Sequence, residues 1–208
     1  MTPTPSTTPS TRSETVLDAA TEDFAQQIAD QVESFLLALQ AIARDEAGAR
    51  AISLLLLEVS QLLLAGARLG AQADFTPEEE YQPDVGPDPD LDLMRERLAR
   101  LLESVDTYVV NFDAYAPELV EELLSDDLAA IAAEVAIGLR HHRAGNVPEA
   151  LWWWQFSYVS SWGNTASGVL RALQSIVTHD RLDTEEIDED DQLAAADEML
   201  GGTEDAAR

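Results

Sequence analysis

Residues 148–179 read PEALWWWQFSYVSSWGNTASGVLRALQSIVTH, and the fold turns on how this stretch is taken. Pro148 suits the first position of a helix, where its missing N–H costs nothing, and apolar residues then recur at spacings of three and four instead of alternating. The stretch therefore predicts one long helix from Pro148 to about His179, bent near Gly163. Three consecutive tryptophans point about 100° apart on such a helix and cannot all enter one narrow apolar stripe. With Trp152 as origin, Val159, Trp162, Ala166, Val169, Leu173 and Val177 fall on the apolar arc. Trp153 lies opposite, on an arc shared with Ser157, Ser160, Asn164, Gly168, Arg171 and Ser175.

Working outward, the same periodicity finds further helices. Phe24, Ile28, Val32, Phe35, Leu36, Leu39 and Ile42 form one stripe, so Thr21 to about Arg44 is an amphipathic helix with Thr21 as a candidate N-cap. Ala51 to about Gly70 is apolar almost all round, which places it at the centre of a bundle. Glu58, Gln61 and Arg68 interrupt that segment and no basic anchors flank it, so a buried helix is a better reading than a membrane span. Met94, Leu98, Leu101, Val105, Tyr108 and Phe112 predict a third helix from about Asp92 to Asn111. Ser125, followed by Asp126 and Asp127, is the expected cap of a fourth, which carries Leu128, Ile131, Val135 and Leu139 and ends at Gly145-Asn146. No alternating strand pattern of useful length appears. The expected fold is all-α, a single helical bundle of five or six helices with disordered N-terminal and acidic C-terminal tails.

The 208 residues hold 12 arginines, no lysine and 40 acids, for a net charge of −28. The acids cluster: residues 183–208 hold eleven with one arginine, and residues 74–92 hold eight with no base. Such runs repel themselves and offer nothing to bury, so the C-terminal run reads as a largely disordered tail. The run at 74–92, broken by Pro77, Pro83, Pro87 and Pro89, reads as a loop crossing the surface between two helical halves. The helical domain is expected over residues 19–182, preceded by a Pro/Thr/Ser-rich tail at 1–18.

Composition also excludes functions. Without cysteine there is no disulfide framework, thiolate zinc site, cysteine nucleophile or iron–sulfur cluster. The charge opposes binding to nucleic acid and to anionic membranes and favours a basic or uncharged protein partner, which can be a second copy of the chain. The first residues lack the apolar stretch of a secretory signal, so a cytoplasmic, bacterial protein is expected. His141, His142 and His179 lack metal-ligand spacing, and no metal or cofactor is expected. Interaction with a helix C-terminus accounts for the paired histidines. With no phosphate-cradling glycine loop and no nucleophile turn, enzyme activity is unsupported.

Two features exceed ordinary core. The small, polar arc of the last helix either packs against a neighbour or lines a pocket, in which Trp153, Ser157, Asn164 and Arg171 would bind a ligand. Glu58 sits among leucines and must be paired, hydrogen-bonded or protonated, with Arg171 as the first expected partner. Two functions remain: a noncatalytic protein-interaction or regulatory module, favoured here, and a small-ligand-binding or hydrolytic domain around Glu58, Trp153 and Arg171. A closed cavity holding Glu58 and Arg171 would support the second, and an exposed aromatic patch the first.

The run Glu149-Ala-Leu-Trp-Trp-Trp-Gln-Phe-Ser-Tyr, continued by Ser161-Trp-Gly-Asn-Thr-Ala-Ser and Leu170-Arg-Ala-Leu-Gln-Ser, resembles an uncharacterised bacterial family, domain of unknown function 5063. Leu54-Leu-Leu-Leu-Glu-Val-Ser-Gln-Leu-Leu-Leu-Ala-Gly and Tyr81-Gln-Pro-Asp-Val-Gly-Pro carry the same likeness. The resemblance covers roughly Phe24 to Leu182 and implies a domain boundary, with no activity or site residue.

Overall fold

The computed structural model describes residues 19–44, 47–78, 82–111, 115 and 117–201, with backbone alone from 183 onward. The tails at 1–18 and 202–208 lie outside the described residues, as do Tyr81 and Phe112.

Helix α1 spans Ala19–Ala43 and α2 spans Ala51–Gly70, in the places that hydrophobic spacing predicts. They run antiparallel, and polar rungs register them: Arg68 donates to Gln27 at 2.6 Å, Gln31 to Gln61 at 3.2 Å and Ser34 to Glu58 at 3.5 Å. Contrary to expectation, α2 is not buried all round. Leu55, Val59, Leu62, Ala65 and Leu69 form its buried stripe, while Leu57 and Leu64 remain exposed. Gly48–Gly70 is long and apolar enough to cross a membrane, yet it packs by this stripe against α1 and the last helix.

The expected third helix stops early. Helix α3 covers Asp92–Leu102, and a short 3-10 turn at Glu103–Val105 leads into strand β1, Thr107–Val110, paired antiparallel with β2, Val120–Leu123. Thr-Tyr-Val-Val is β-branched and aromatic, a composition that favours a pleated surface over the helix to which its spacing also conforms. The break at Glu103, where φ is 39°, frees the chain to turn.

Helix α4 spans Leu124–Arg143, and its start corrects another expectation. Ser125 does not cap it. Asp106, just before β1, accepts the Ser125 N–H at Oδ1 and the Ser125 hydroxyl at Oδ2, both at 2.8 Å, while its carbonyl accepts the Leu124 N–H. Asp106 thus satisfies two of the open N–H groups of the first turn, one through its carboxylate and one through its backbone carbonyl.

Helix α5, Val147–Ser157, passes without interruption through a π-helical turn at Tyr158–Trp162 into α6, Gly163–Gly201, so the described helices form five rods. The π turn supplies the deviation expected near Gly163. The helical backbone runs on past Leu182 to Gly201, beyond the border suggested by charge. The loop after α2 lies against α5, held by side chains of that helix. Gln155 accepts the Phe75 N–H at 2.9 Å and donates to the carbonyls of Leu69 and Ala73, and Glu149 accepts the Glu78 N–H at 3.0 Å. These two polar residues are buried because loop backbone, rather than water, meets their hydrogen-bonding needs.

Candidate functional site

The three tryptophans divide into three tasks. Trp154 is fully buried and donates its indole N–H to the Val135 carbonyl at 2.9 Å. It lies against Gly138, where any Cβ would come within 2.2 Å of Nε1. Trp153, half-buried, donates to the preceding carbonyl, that of Glu134, also at 2.9 Å. Both rings therefore clamp α5 onto the backbone of α4. Trp152, also half-buried, stacks on Phe156, with centroids 5.2 Å apart and planes 5° from parallel. Phe156 is 54% exposed and Val159, one turn on, is 74% exposed.

This corrects the helical wheel at Val159, which shares the apolar arc of Trp152, Trp162 and Ala166 there. The π turn carries i to i+5 bonds and so holds roughly 4.4 residues per turn, about 18° less rotation per residue than an α-helix. Five such residues rotate the downstream half by roughly 90° against the upstream half. Tyr158 fixes the turn by wedging against Gly66 and Gly163, where an added Cβ would lie 2.4 Å and 2.7 Å from its ring.

The same rotation separates the residues expected to share one site. Ser157 is buried and donates to the Trp153 carbonyl at 2.6 Å, and Asn164 is exposed. Glu58 is half-buried, but it faces Ser34 of α1, the partner that replaces the expected Arg171. Arg171 is exposed and lines a groove of about 630 Å³ between β1 and α6. Gly168 and Ser175 of the small-residue arc line it too, together with Tyr108, Val110 and Asn111 of the hairpin, whereas Glu58 and Trp153 do not. Gly168 lets the hairpin approach, since a Cβ there would sit 3.2 Å from both Tyr108 Oη and Val110.

Tyr108 is a candidate that the sequence hides, because its spacing conforms to a helix while it lies in β1. Its hydroxyl donates to Asp127 Oδ2 at 2.5 Å. Burial, the hydrogen bond to Asp127 and the charges of Asp127 and Glu122 all push the Tyr108 pKa well above its ordinary value. Burial also raises Asp127, aided by Glu122 and Asp126 and opposed by the Tyr108 hydrogen bond. Tyr108 thus keeps its proton at neutral pH and acts as a donor rather than a nucleophile.

The paired histidines need a different account from the one expected. Burial lowers the pKa of both, outweighing Glu149 at His141 and Asp30 at His142, so each is neutral at pH 7 and brings no charge to the C-terminus of α4. Among the described residues no cluster of three metal-ligating side chains occurs.

No curated protein matches the chain. Its fold is similar to that in the crystal structure of protein BF1032 from Bacteroides fragilis, with a TM-score of 0.62 and 16% sequence identity over 74% of this chain and 92% of that one. The family model described as "Domain of unknown function (DUF5063)" matches residues 19–179, the helices and hairpin that position both the aromatic face and the groove. The chain belongs to the DUF5063 family.

Proposed function

We propose that the protein is a noncatalytic interaction module that docks a basic protein partner on the outer face of α5. One observation carries this reading: Phe156 and Val159 stand exposed, with Phe156 backed by the half-buried Trp152 ring, although the neighbouring Trp153 and Trp154 are used in packing. Rigid exposed aromatics serve as interface anchors at low entropic cost, and a chain of charge −28 selects a partner of opposite sign. The test is to recover a stoichiometric partner with the native protein, purify it and titrate it by calorimetry. The double variant Phe156→Ala/Val159→Ala is expected to bind at least tenfold more weakly with an unchanged melting temperature. Wild-type affinity in that variant, or failure to recover any stoichiometric partner, defeats the proposal.

A second reading, of a small-ligand-binding domain, is favoured by the groove alone. Its volume falls within the range of ligand pockets, and Arg171 offers a guanidinium to a carboxylate while Val105, Leu119 and Ile176 offer apolar contact. Nuclear magnetic resonance titration with aryl carboxylates is expected to shift the Gly168 and Tyr108 amides. Arg171→Gln is expected to weaken that binding at least fivefold, and unmoved amides would end this reading.

A further inference from the structure

Arginine is outnumbered by acid 12 to 40 in this chain, so an arginine's chance neighbour is a carboxylate. One recess departs from that composition. Where the end of α1 meets α3, Arg44, Arg97 and Arg100 line a space of about 690 Å³ with Ala43 and Leu101, and among the described residues no carboxylate lines it. The ion pairs among the described residues involve Arg95 and Arg143, and none of these three.

Helix-end electrostatics explain part of the cluster. Arg100 lies in the last turn of α3, where its Nε donates to the Glu96 carbonyl at 3.3 Å, and Arg44 directly follows α1. Cations are favourable at both places. Arg97 has no such reason: it lies a turn earlier, half-buried, and with Arg44 it also borders an adjoining recess of about 260 Å³. Asp90 lines the adjoining recess, with Oδ1 accepting the Asp92 N–H at 3.3 Å.

We propose that the Arg44, Arg97 and Arg100 recess binds a small phosphorylated polyanion of pyrophosphate type. Planar guanidinium forks match phosphate oxygens two at a time, and three of them balance a dianion or trianion that the rest of the surface repels. The volume exceeds that of a bare diphosphate, and Ala43 and Leu101 give an attached organic group an apolar border. This site is separate from the aromatic face and from the Arg171 groove, and its test is independent of both.

Pyrophosphate itself is the probe, titrated by calorimetry into the full chain at low ionic strength, with citrate as a carboxylate of similar charge. Binding at one site is expected, weakening as salt rises and at least tenfold stronger than for citrate. Arg100→Gln, at an exposed position, is expected to weaken it at least fivefold, and Arg97→Gln/Arg100→Gln to abolish it, while circular dichroism stays unchanged. Absence of binding, equal affinity for citrate, or full affinity in a folded double variant overturns the proposal.

Discussion

Replacing Gly138 with alanine is expected to destabilise the protein by about 3–4 kcal/mol, the sum of overpacking and of a strained indole hydrogen bond. The added methyl would lie 2.2 Å from Trp154 Nε1 and 2.5 Å from Cδ1. The far end of a flexible chain could move aside, but Trp154 is fully buried and tied to Val135, the residue whose carbonyl it needs. Moving the ring away from α4 therefore exchanges a steric clash for an unsatisfied N–H. For a domain of this size the loss corresponds to a fall in melting temperature of about 10 °C. Chemical denaturation of Gly138→Ala, Trp154→Phe and the double variant separates the two costs. The double variant should lose less than the two single variants together, because the smaller ring relieves the clash. A loss below about 1 kcal/mol for Gly138→Ala would show that α4 yields and that the notch does not set the helix spacing.

The same contact shows which parts of the molecule a sequence discloses. Helix α1 is legible because it presents one unbroken 3.6-residue stripe, and α2 because of its long apolar run, although which of its faces is buried shows only in the packing. The aromatic segment is legible as helix but misleading as a wheel. Tyr158 needs the glycine faces of α2 and the start of α6, so the π turn that accommodates it depends in part on Gly66, which is distant in sequence. Val159 consequently moves from the expected core into solvent, and Arg171 moves away from Trp153 to the hairpin. Glu58, for which an arginine is the expected partner, meets a serine on α1 instead, since tertiary registry rather than charge selects it. The hairpin is the largest omission. Four residues at helical spacing do not reveal that β2, ten residues beyond, will pair with them.

Asp106→Ala is expected to cost about 2–4 kcal/mol, combining a lost helix cap with a buried donor left unpaired. Asp106 is 7% exposed and Ser125 is 1% exposed, so water cannot substitute for the carboxylate at either the Ser125 N–H or its hydroxyl. Asp106→Asn separates geometry from charge. Its carbonyl oxygen can still accept the N–H, and its amide can donate to the hydroxyl oxygen, so most of the loss should return, leaving a deficit of about 1 kcal/mol from the weaker interaction with the helix N-terminus. The consequence reaches the groove, because Asp106 adjoins β1 and the carbonyl of Asp106 holds Leu124, the residue after β2. Amide exchange across residues 107–110 and 120–123 should accelerate in Asp106→Ala well before α1 and α2 lose protection. Uniform acceleration along the whole chain would mean that the carboxylate supports the core at large, and that the hairpin does not depend on it for its place beside Arg171.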